Sequence, residues 1–172
     1  EMTHRMRDSI RRCMLLRLER RRPRQFGGMG GWVCRKAVYT ALNSWDSQLD
    51  MSLVATAVTG ALWTAARAYR RKMRSGPECP YCDLNAVEDE DHMLWKCPAW
   101  ETARAPLLPP IVSAANALAH LPDDPRRWPP CLRLCGILPQ DLAKGASEDE
   151  QGALVLAVHT MFRPVTCMRM QE

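Results

Sequence analysis

The chain of 172 residues contains no long hydrophobic run. Its longest apolar stretches, such as residues 153–158, are far shorter than the roughly 18–20 residues that a helix needs to cross a bilayer. We therefore expect no segment of this sequence to cross a membrane. The sequence also has no alternation of apolar and polar residues that would predict strands, and no internal repeat. Together these absences predict a mainly α-helical fold.

The common catalytic signatures are missing as well. We find no Ser/His/Asp set, no glycine-rich phosphate loop and no trio of carboxylates that the sequence would bring together. There is no secretory signal peptide, which argues against a disulfide-stapled secreted protein despite the eight cysteines. We therefore expect a protein of a reducing, intracellular compartment that has no catalytic centre of its own.

Positive charge is concentrated at the start of the chain. Residues 1–25 contain nine arginines and three acidic residues, a net charge of +6, whereas the whole chain carries +5. A basic arm of this kind suits nucleic acid or another anionic surface, although a solvated tail has the same composition. Because the first residue is Glu1 rather than methionine, we expect the sequence to be a piece of a longer protein.

Four residues that can bind metal occur close together, in a C-x2-C-x9-H-x4-C arrangement. They are Cys79, Cys82, His92 and Cys97, and we call residues 79–97 the knuckle. Three thiols and one imidazole match the Cys3His ligand set of a tetrahedral zinc site. Four protein ligands leave no position for a catalytic water, so the pattern predicts one structural Zn(II) per chain. Because a spacing of five does not fit one helical face, we expect Cys97 at the end of a short helix, just before Pro98.

The tetrapeptide Cys-Pro-Tyr-Cys at residues 79–82 has a second interpretation, as the active site of a glutaredoxin-like thiol-disulfide oxidoreductase. In that family the first cysteine follows a strand and opens a helix, which lowers its pKa. Here Gly76 and Pro77 precede the motif, a βαβ pattern is absent, and acidic residues 88–91 disfavour a thiolate. These features favour zinc. The acidic run itself is explained by its place at the start of the helix that carries His92, or as a partner of the imidazole.

The remaining cysteines give weaker signals. Cys131 and Cys135 are four residues apart and could bind a second metal, but buried small side chains explain them more simply. Three others have no visible partner, namely Cys13, Cys34 and Cys167. The isolated histidines, including His159, carry no functional signal.

The strongest helical periodicity covers residues 52–74. Apolar residues recur there at three- and four-residue steps and predict a buried face: Val54, Val58, Leu62, Ala65, Ala66, Tyr69 and Met73. The opposite face predicts a nucleic-acid contact, because arginine binds phosphates and an exposed tryptophan stacks on bases. Its residues are Trp63, Arg67, Arg70, Arg71 and Arg74. The alternative is a solvated face whose tryptophan packs under another helix.

Glycine and proline positions divide the chain into four regions. We expect a basic helical arm at 1–25 with a helix over 3–22, a flexible glycine linker at 26–31, a helical region with the knuckle at 32–101, and a proline-rich helical region at 102–172. A further helix is predicted over 32–45, and only short helices over 100–107 and 111–121. A final helix should begin at Ser147, with Glu150 completing a capping box, and end at Pro164.

Residues 57–101 resemble the zinc-binding region at the C-terminal end of non-LTR retrotransposon reverse transcriptases. In that family a Thr-Gly helix, here with Thr59 and Gly60, precedes a C-P-x-C motif. An acidic E-H-x-L-W-x-C-P segment follows, and residues 90–98 here read Glu-Asp-His-Met-Leu-Trp-Lys-Cys-Pro. Residues 128–136 also resemble retroelement-derived proteins of dinoflagellates.

The resemblance implies that Cys79, Cys82, His92 and Cys97 bind the metal, in a module that helps the element's protein to engage nucleic acid. It does not extend to polymerase activity, because the chain has no Tyr-x-Asp-Asp motif and no carboxylate set of a ribonuclease H domain. The implied partners are RNA or DNA and the rest of a retroelement polyprotein. The implied location is a nuclear or cytoplasmic ribonucleoprotein.

The leading hypothesis is a zinc-stabilised nucleic-acid-binding module from the C-terminal part of a retrotransposon reverse transcriptase. The first alternative is a zinc-ordered protein-interaction module, from a decayed or repurposed element, that docks a partner through its leucine-rich C-terminal half. The second alternative is the thiol-disulfide oxidoreductase described above.

Overall fold

Helices form nearly all of the regular structure. The computed structural model describes the backbone of residues 2–169 and the side chains of residues 2–165. Within that part there is no sheet, and extended pairing is limited to two isolated bridges, Val33 with Pro139 and Glu78 with Val87. The predicted mainly α fold is therefore confirmed. None of the described helices is both long and apolar enough to cross a membrane.

Five helices precede the knuckle. They are α1 (Met2–Arg21), α2 (Pro23–Phe26), α3 (Arg35–Asn43), α4 (Gln48–Val58) and α5 (Ala65–Arg70). A π-helical turn (His92–Lys96) follows within the knuckle. The proline-rich region then contains α6 (Glu101–Arg104), α7 (Leu108–Ala115) and α8 (Pro130–Cys135), with short 3-10 turns between them. The chain's last described helix is α9 (Glu148–Arg169).

The core is built around α9. Its apolar face is fully buried, and the helix packs against α3, α4 and α7. The residues of that face are Leu154, Val155, Val158, Met161 and Phe162. The predicted capping box is present, since the Ser147 hydroxyl accepts from the Glu150 amide and the Glu150 carboxylate accepts from the Ser147 amide. The prediction that Pro164 ends this helix is wrong. The helix continues because Val165, just beyond the proline, is also buried in the core.

The helix predicted over 52–74 is in fact two helices, α4 and α5. The amide of Gly60 donates to the carbonyl of Ala57, and the amide of Ala61 donates to the carbonyl of Thr56. This pair of bonds, with Gly60 at a φ of +61°, is a Schellman motif that ends α4. Thr64 then caps α5, because its hydroxyl accepts from the Arg67 amide at 3.2 Å.

The glycine-rich segment 26–31, predicted as a flexible linker, is packed instead. Phe26 and Met29 are buried in the core. The Gly27 carbonyl accepts from the Cys131 amide at 3.2 Å, and the Gly28 amide donates to the Glu19 carboxylate at 2.7 Å. The segment is fixed because its two large apolar side chains anchor it between α1 and α8.

Candidate metal centre

The first two predicted ligands lie on a tight loop formed by residues 77–88. The Cys79 amide donates to the Ala86 carbonyl at 2.8 Å, and the Glu88 amide donates to the Pro77 carbonyl at 2.9 Å. Asn85 turns the chain with a φ of +49°. These bonds hold the ends of the loop together, and the loop presents Cys79 and Cys82 toward the π-helical turn.

The other two ligands lie at the two ends of the π-helical turn. The Cys97 amide donates to the His92 carbonyl at 2.7 Å, a hydrogen bond that spans five residues. The turn ends at Lys96, so the expected position of Cys97 at the end of a short helix is confirmed. A five-residue spacing that does not fit an α-helix is therefore accommodated by a π turn. Its central side chains, Met93 to Trp95, are buried in the core and hold the turn in place.

The four ligand atoms form a cluster of the size of a zinc tetrahedron. All of them lie within 4.8 Å of one another. The Sγ atoms of Cys79 and Cys97 are 3.7 Å apart, and the Cys82 Sγ is 3.4 Å from the His92 Nε2. Zinc–sulfur bonds of about 2.3 Å and a zinc–nitrogen bond of about 2.0 Å in a tetrahedron place sulfurs about 3.8 Å apart and sulfur and nitrogen about 3.5 Å apart. The donor set and its spacing both fit a single cation.

Burial defines the chemistry of these thiols. Cys79, His92 and Cys97 are buried, and Cys82 is half-buried. Burial raises the pKa of Cys79 and raises that of Cys97 to about 12. Without a cation both thiols are therefore protonated at neutral pH, and metal binding must release their protons. The direction of the shift is opposite to the lowered pKa that a thiol-disulfide active site needs.

The acidic run at residues 88–91 ties the knuckle to the rest of the fold. Glu88 is buried, and its carboxylate accepts from the Ala65 amide at 2.6 Å. Asp89 accepts from the backbone amide of His92 at 2.8 Å, which caps the π turn. Asp91 pairs with Arg133 on α8 and with Lys96. The run therefore does more than complement a helix dipole, since it joins three elements through hydrogen bonds.

A buried arginine, which the sequence did not single out, holds the last ligand. The Arg104 guanidinium donates to the Cys97 carbonyl at 2.7 Å and to the Glu101 carboxylate at 2.7 Å. A site of three thiolates and one Zn²⁺ would carry a net negative charge, which a buried guanidinium nearby offsets. In the sequence, the spacing of three residues between Glu101 and Arg104 is typical of an ion pair on one helix. That spacing gives no indication that the arginine is buried.

Arg67, predicted on the nucleic-acid face, is engaged within the protein. Its side chain is 15 % exposed, and its guanidinium donates to the Gly60 carbonyl at 2.6 Å and to the Glu90 carboxylate at 3.1 Å. Burial lowers its pKa. Glu90 also accepts from Gln25 at 2.8 Å, and Arg22 reaches the same Gly60 carbonyl. This network connects α2, the Schellman motif and the knuckle.

The other predicted contact residues remain on the surface. Trp63 is 45 % exposed, and the Arg71 guanidinium lies 5.6 Å from the centre of its ring. Arg70 and Arg74 are exposed, and Arg70 donates to the Ala66 carbonyl. We call these four residues the Trp/Arg surface. The predicted buried face fails at its end, because Tyr69 is exposed within α5 and Met73 is exposed beyond the end of α5 at Arg70.

The remaining candidates are structural. Cys131 and Cys135 are buried, and burial raises the pKa of each to about 12. They belong to no metal-ligand group within the described residues. Cys167 lies outside the residues whose side chains are described. His159 is buried in the core, with its Nε2 3.2 Å from the Gly136 carbonyl oxygen.

The site therefore consists of four potential ligand atoms that lie within 4.8 Å of one another, fixed by the core on one side and by the acidic run on the other. It adjoins α5, which leads into the loop that carries Cys79. Comparison of this chain with protein-family models, curated proteins and solved structures finds no match.

Proposed function

We propose that this chain is a zinc-stabilised nucleic-acid-binding module, from the C-terminal part of a retrotransposon reverse transcriptase. The observation that carries the proposal is the Cys3His cluster, whose four ligand atoms lie within 4.8 Å of one another. An exposed tryptophan and three exposed arginines precede it in the sequence, on and around α5. The retroelement origin rests only on the sequence resemblances of residues 57–101 and 128–136. Finding a polymerase or ribonuclease H core in frame upstream of Glu1 would test that origin directly.

The zinc has a structural role in this proposal. Cys79, Cys82, His92 and Cys97 would each supply one ligand, which leaves no open position for a substrate or water. The cation would fasten the loop of residues 77–88 to the π turn. It would also hold the thiols ionised, against the protonated state that their burial favours. Thiolate ligands of this kind are stable in a reducing, intracellular compartment.

The Trp/Arg surface would make the nucleic-acid contacts. Arg70 and Arg74 would contact phosphates, and Trp63, whose ring lies against the Arg71 guanidinium, would stack on a base. Arg67 has a supporting role here, because its guanidinium is already bonded to Gly60 and Glu90. The seven arginines of α1 add positive potential that attracts an anionic polymer from a distance.

Salt-dependent binding tests this surface. We expect the zinc-loaded chain to bind RNA or DNA oligonucleotides at low salt. The affinity should fall steeply as the salt concentration rises, because phosphate contacts release counterions. Arg70→Ala should reduce the slope of the logarithm of the binding constant against the logarithm of the salt concentration by about 1, the value for one phosphate contact. Trp63→Ala should weaken single-stranded binding by about 1–3 kcal/mol with little change in that slope.

The matched control is Arg127→Ala, which removes an exposed arginine from the turn Pro125–Arg127, next to Trp128 in the sequence. That variant should bind as the wild type does. If the zinc-loaded chain binds neither RNA nor DNA at low salt, the proposal fails and the protein-interaction alternative is favoured. If the Arg70 and Arg127 variants lost equal amounts of oligonucleotide affinity, binding would depend on total charge rather than on the Trp/Arg surface.

A further inference from the structure

The first half of α1 carries a row of exposed apolar side chains. Met2, Met6, Ile10 and Met14 recur at four-residue intervals and are 54–79 % exposed. Side chains four residues apart on a helix lie one above another, so the four form a continuous strip. The exposed Cys13 lies beside them. We call this strip the Met/Ile row.

The body of the protein supports only the second half of α1. Leu15 and Leu18 pack against the core, Glu19 accepts from the Gly28 amide, and Arg12 lies over the Trp32 ring. Between residues 2 and 14 every residue except Asp8 is exposed, and no residue of α1 is buried. A helix without tertiary contacts is only marginally stable in water. Burial of the Met/Ile row against a partner would supply the missing stabilisation.

Charge indicates the nature of that partner. The helix contains seven arginines and two acidic residues. We propose that the first half of α1 is a docking site for an acidic amphipathic helix of another protein. Leucine-like side chains of the partner would pack on the Met/Ile row, where methionine adapts readily to a neighbour's shape. Its carboxylates would pair with arginines beside the row, such as the exposed Arg7.

Other occupants fit less well. Two copies of α1 would bring together two helices of the same strong positive charge. The phosphates of nucleic acid would pair with the arginines but would leave the Met/Ile row in water. An interfacial membrane helix uses aromatic anchors, whereas α1 contains no phenylalanine, tryptophan or tyrosine. The docking site is separate from the Trp/Arg surface and does not depend on nucleic-acid binding.

A synthetic probe peptide tests the proposal on the zinc-loaded full chain. The probe is a labelled helix of about 20 residues, with leucines at helical three- and four-residue intervals and glutamates beside them. Fluorescence anisotropy should show binding at least about tenfold tighter than for two control peptides. One control has the same composition with its leucines scrambled, and the other has glutamine in place of glutamate.

The variant Met6→Gln/Ile10→Gln should weaken probe binding by about tenfold or more, because it removes two side chains from the contact while keeping helix-forming residues. Its binding of oligonucleotides should be unchanged, which separates this proposal from the proposed function. Tyr39→Gln, at another exposed apolar residue on α3, is the matched control and should bind the probe normally.

Four results would overturn the proposal. The probe and its scrambled control could bind equally, or Tyr39→Gln could lose as much binding as the double variant. Vesicles of phosphatidylserine and phosphatidylcholine could bind the chain through the Met/Ile row while the probe does not. Sedimentation could show a dimer that the double variant abolishes, which would make a second copy the occupant.

Discussion

Arg104 shows how one side chain can determine the position of a metal ligand. The Cys97 peptide is held on both sides, since its amide donates to His92 and its carbonyl accepts from Arg104. The guanidinium is almost fully buried, so its charge acts at short range in a medium of low polarity. Neither role is visible in the sequence, where Arg104 is one arginine among many.

We predict that Arg104→Gln weakens zinc binding by about tenfold or more, because outer partners of metal ligands have effects of that size. The Cys97 carbonyl would also lose a buried hydrogen bond, which should lower the free energy of unfolding by about 1–3 kcal/mol. Competition with a chelator measures the first effect, and urea denaturation measures the second. Arg127→Gln is the exposed control. Zinc affinity equal to that of the wild type would contradict the role given to Arg104.

His159 makes stability depend on pH independently of the metal. Burial lowers its pKa to about 4, from 6.5 for the free side chain. In the unfolded chain it takes up a proton as the pH falls below 6.5, whereas in the fold it stays neutral until about 4. The contribution of neutral His159 to the free energy of unfolding is therefore complete above pH 6.5 and is lost as the pH falls to 4. The difference between the two pKa values corresponds to about 3 kcal/mol of unfolding free energy.

We accordingly expect His159→Gln to show a smaller fall in unfolding free energy between pH 6.5 and pH 4 than the wild type. Both proteins are measured in the same excess of zinc, so that loss of metal at low pH affects them equally. Urea unfolding at a series of pH values measures the two slopes. The exposed His4→Gln variant should follow the wild type. Parallel curves for wild type and His159→Gln would refute this assignment.

At the scale of elements, the break between α4 and α5 decides which residues reach the surface. The apolar spacing continues through residues 52–74, so periodicity alone predicts one helix. The chain turns instead at Gly60, whose positive φ brings its carbonyl toward Arg22 and Arg67. That turn separates Trp63 from α4 and places it next to Arg71.

We predict that Gly60→Ala lowers the free energy of unfolding by about 1–2 kcal/mol, because a side chain disfavours this φ. A Cβ there would also lie 3.0–3.1 Å from Arg22 and Phe26. Gly152→Ala is the matched control. It lies within α9 with nothing within 4 Å of an added Cβ, so it should raise stability by about 1 kcal/mol. A Gly60 variant as stable as the wild type would argue against the Schellman motif.

The features that sequence could predict are those with a local cause. The ligand set of the knuckle depends on spacing within one short segment, and the capping box at Ser147 involves residues three apart. The π turn was not predicted, because a hydrogen bond across five residues leaves no distinct periodicity. The packed segment 26–31 and the engagement of Arg67 with Glu90 depend on residues distant in sequence, which composition and periodicity do not reveal.

At the scale of the whole molecule, the knuckle is part of the core. Met93, Leu94 and Trp95 belong to the same buried cluster as the inner face of α9. The Trp95 indole donates to the Arg133 carbonyl on α8 at 3.0 Å. The Cys/His cluster and the helical core therefore share side chains, so we expect the stability of one to depend on the other.

We therefore predict that native mass spectrometry finds one zinc per chain and that chelation destabilises the entire protein. Because metal binding to a folded site adds directly to folding free energy, removal should cost several kcal/mol, on the order of 5. Thermal unfolding with and without chelator should give one transition that shifts to lower temperature.

Cys82→Ser removes the half-buried ligand and should reproduce most of this loss, whereas Cys13→Ser removes an exposed cysteine on α1 and should change nothing. Two separate transitions would show that the knuckle unfolds alone. A metal-free protein of unchanged stability would contradict the zinc assignment.

The polar network around Gly60 has a mechanical consequence. Arg22 follows α1 directly, and Gln25 and Glu90 continue the connection to within two residues of His92. A force applied to α1, such as the pull of a moving partner, would pass along these hydrogen bonds to the metal ligands. The zinc would then fix the end of this chain of hydrogen bonds. We therefore expect the force needed to detach α1 to fall when the metal is removed.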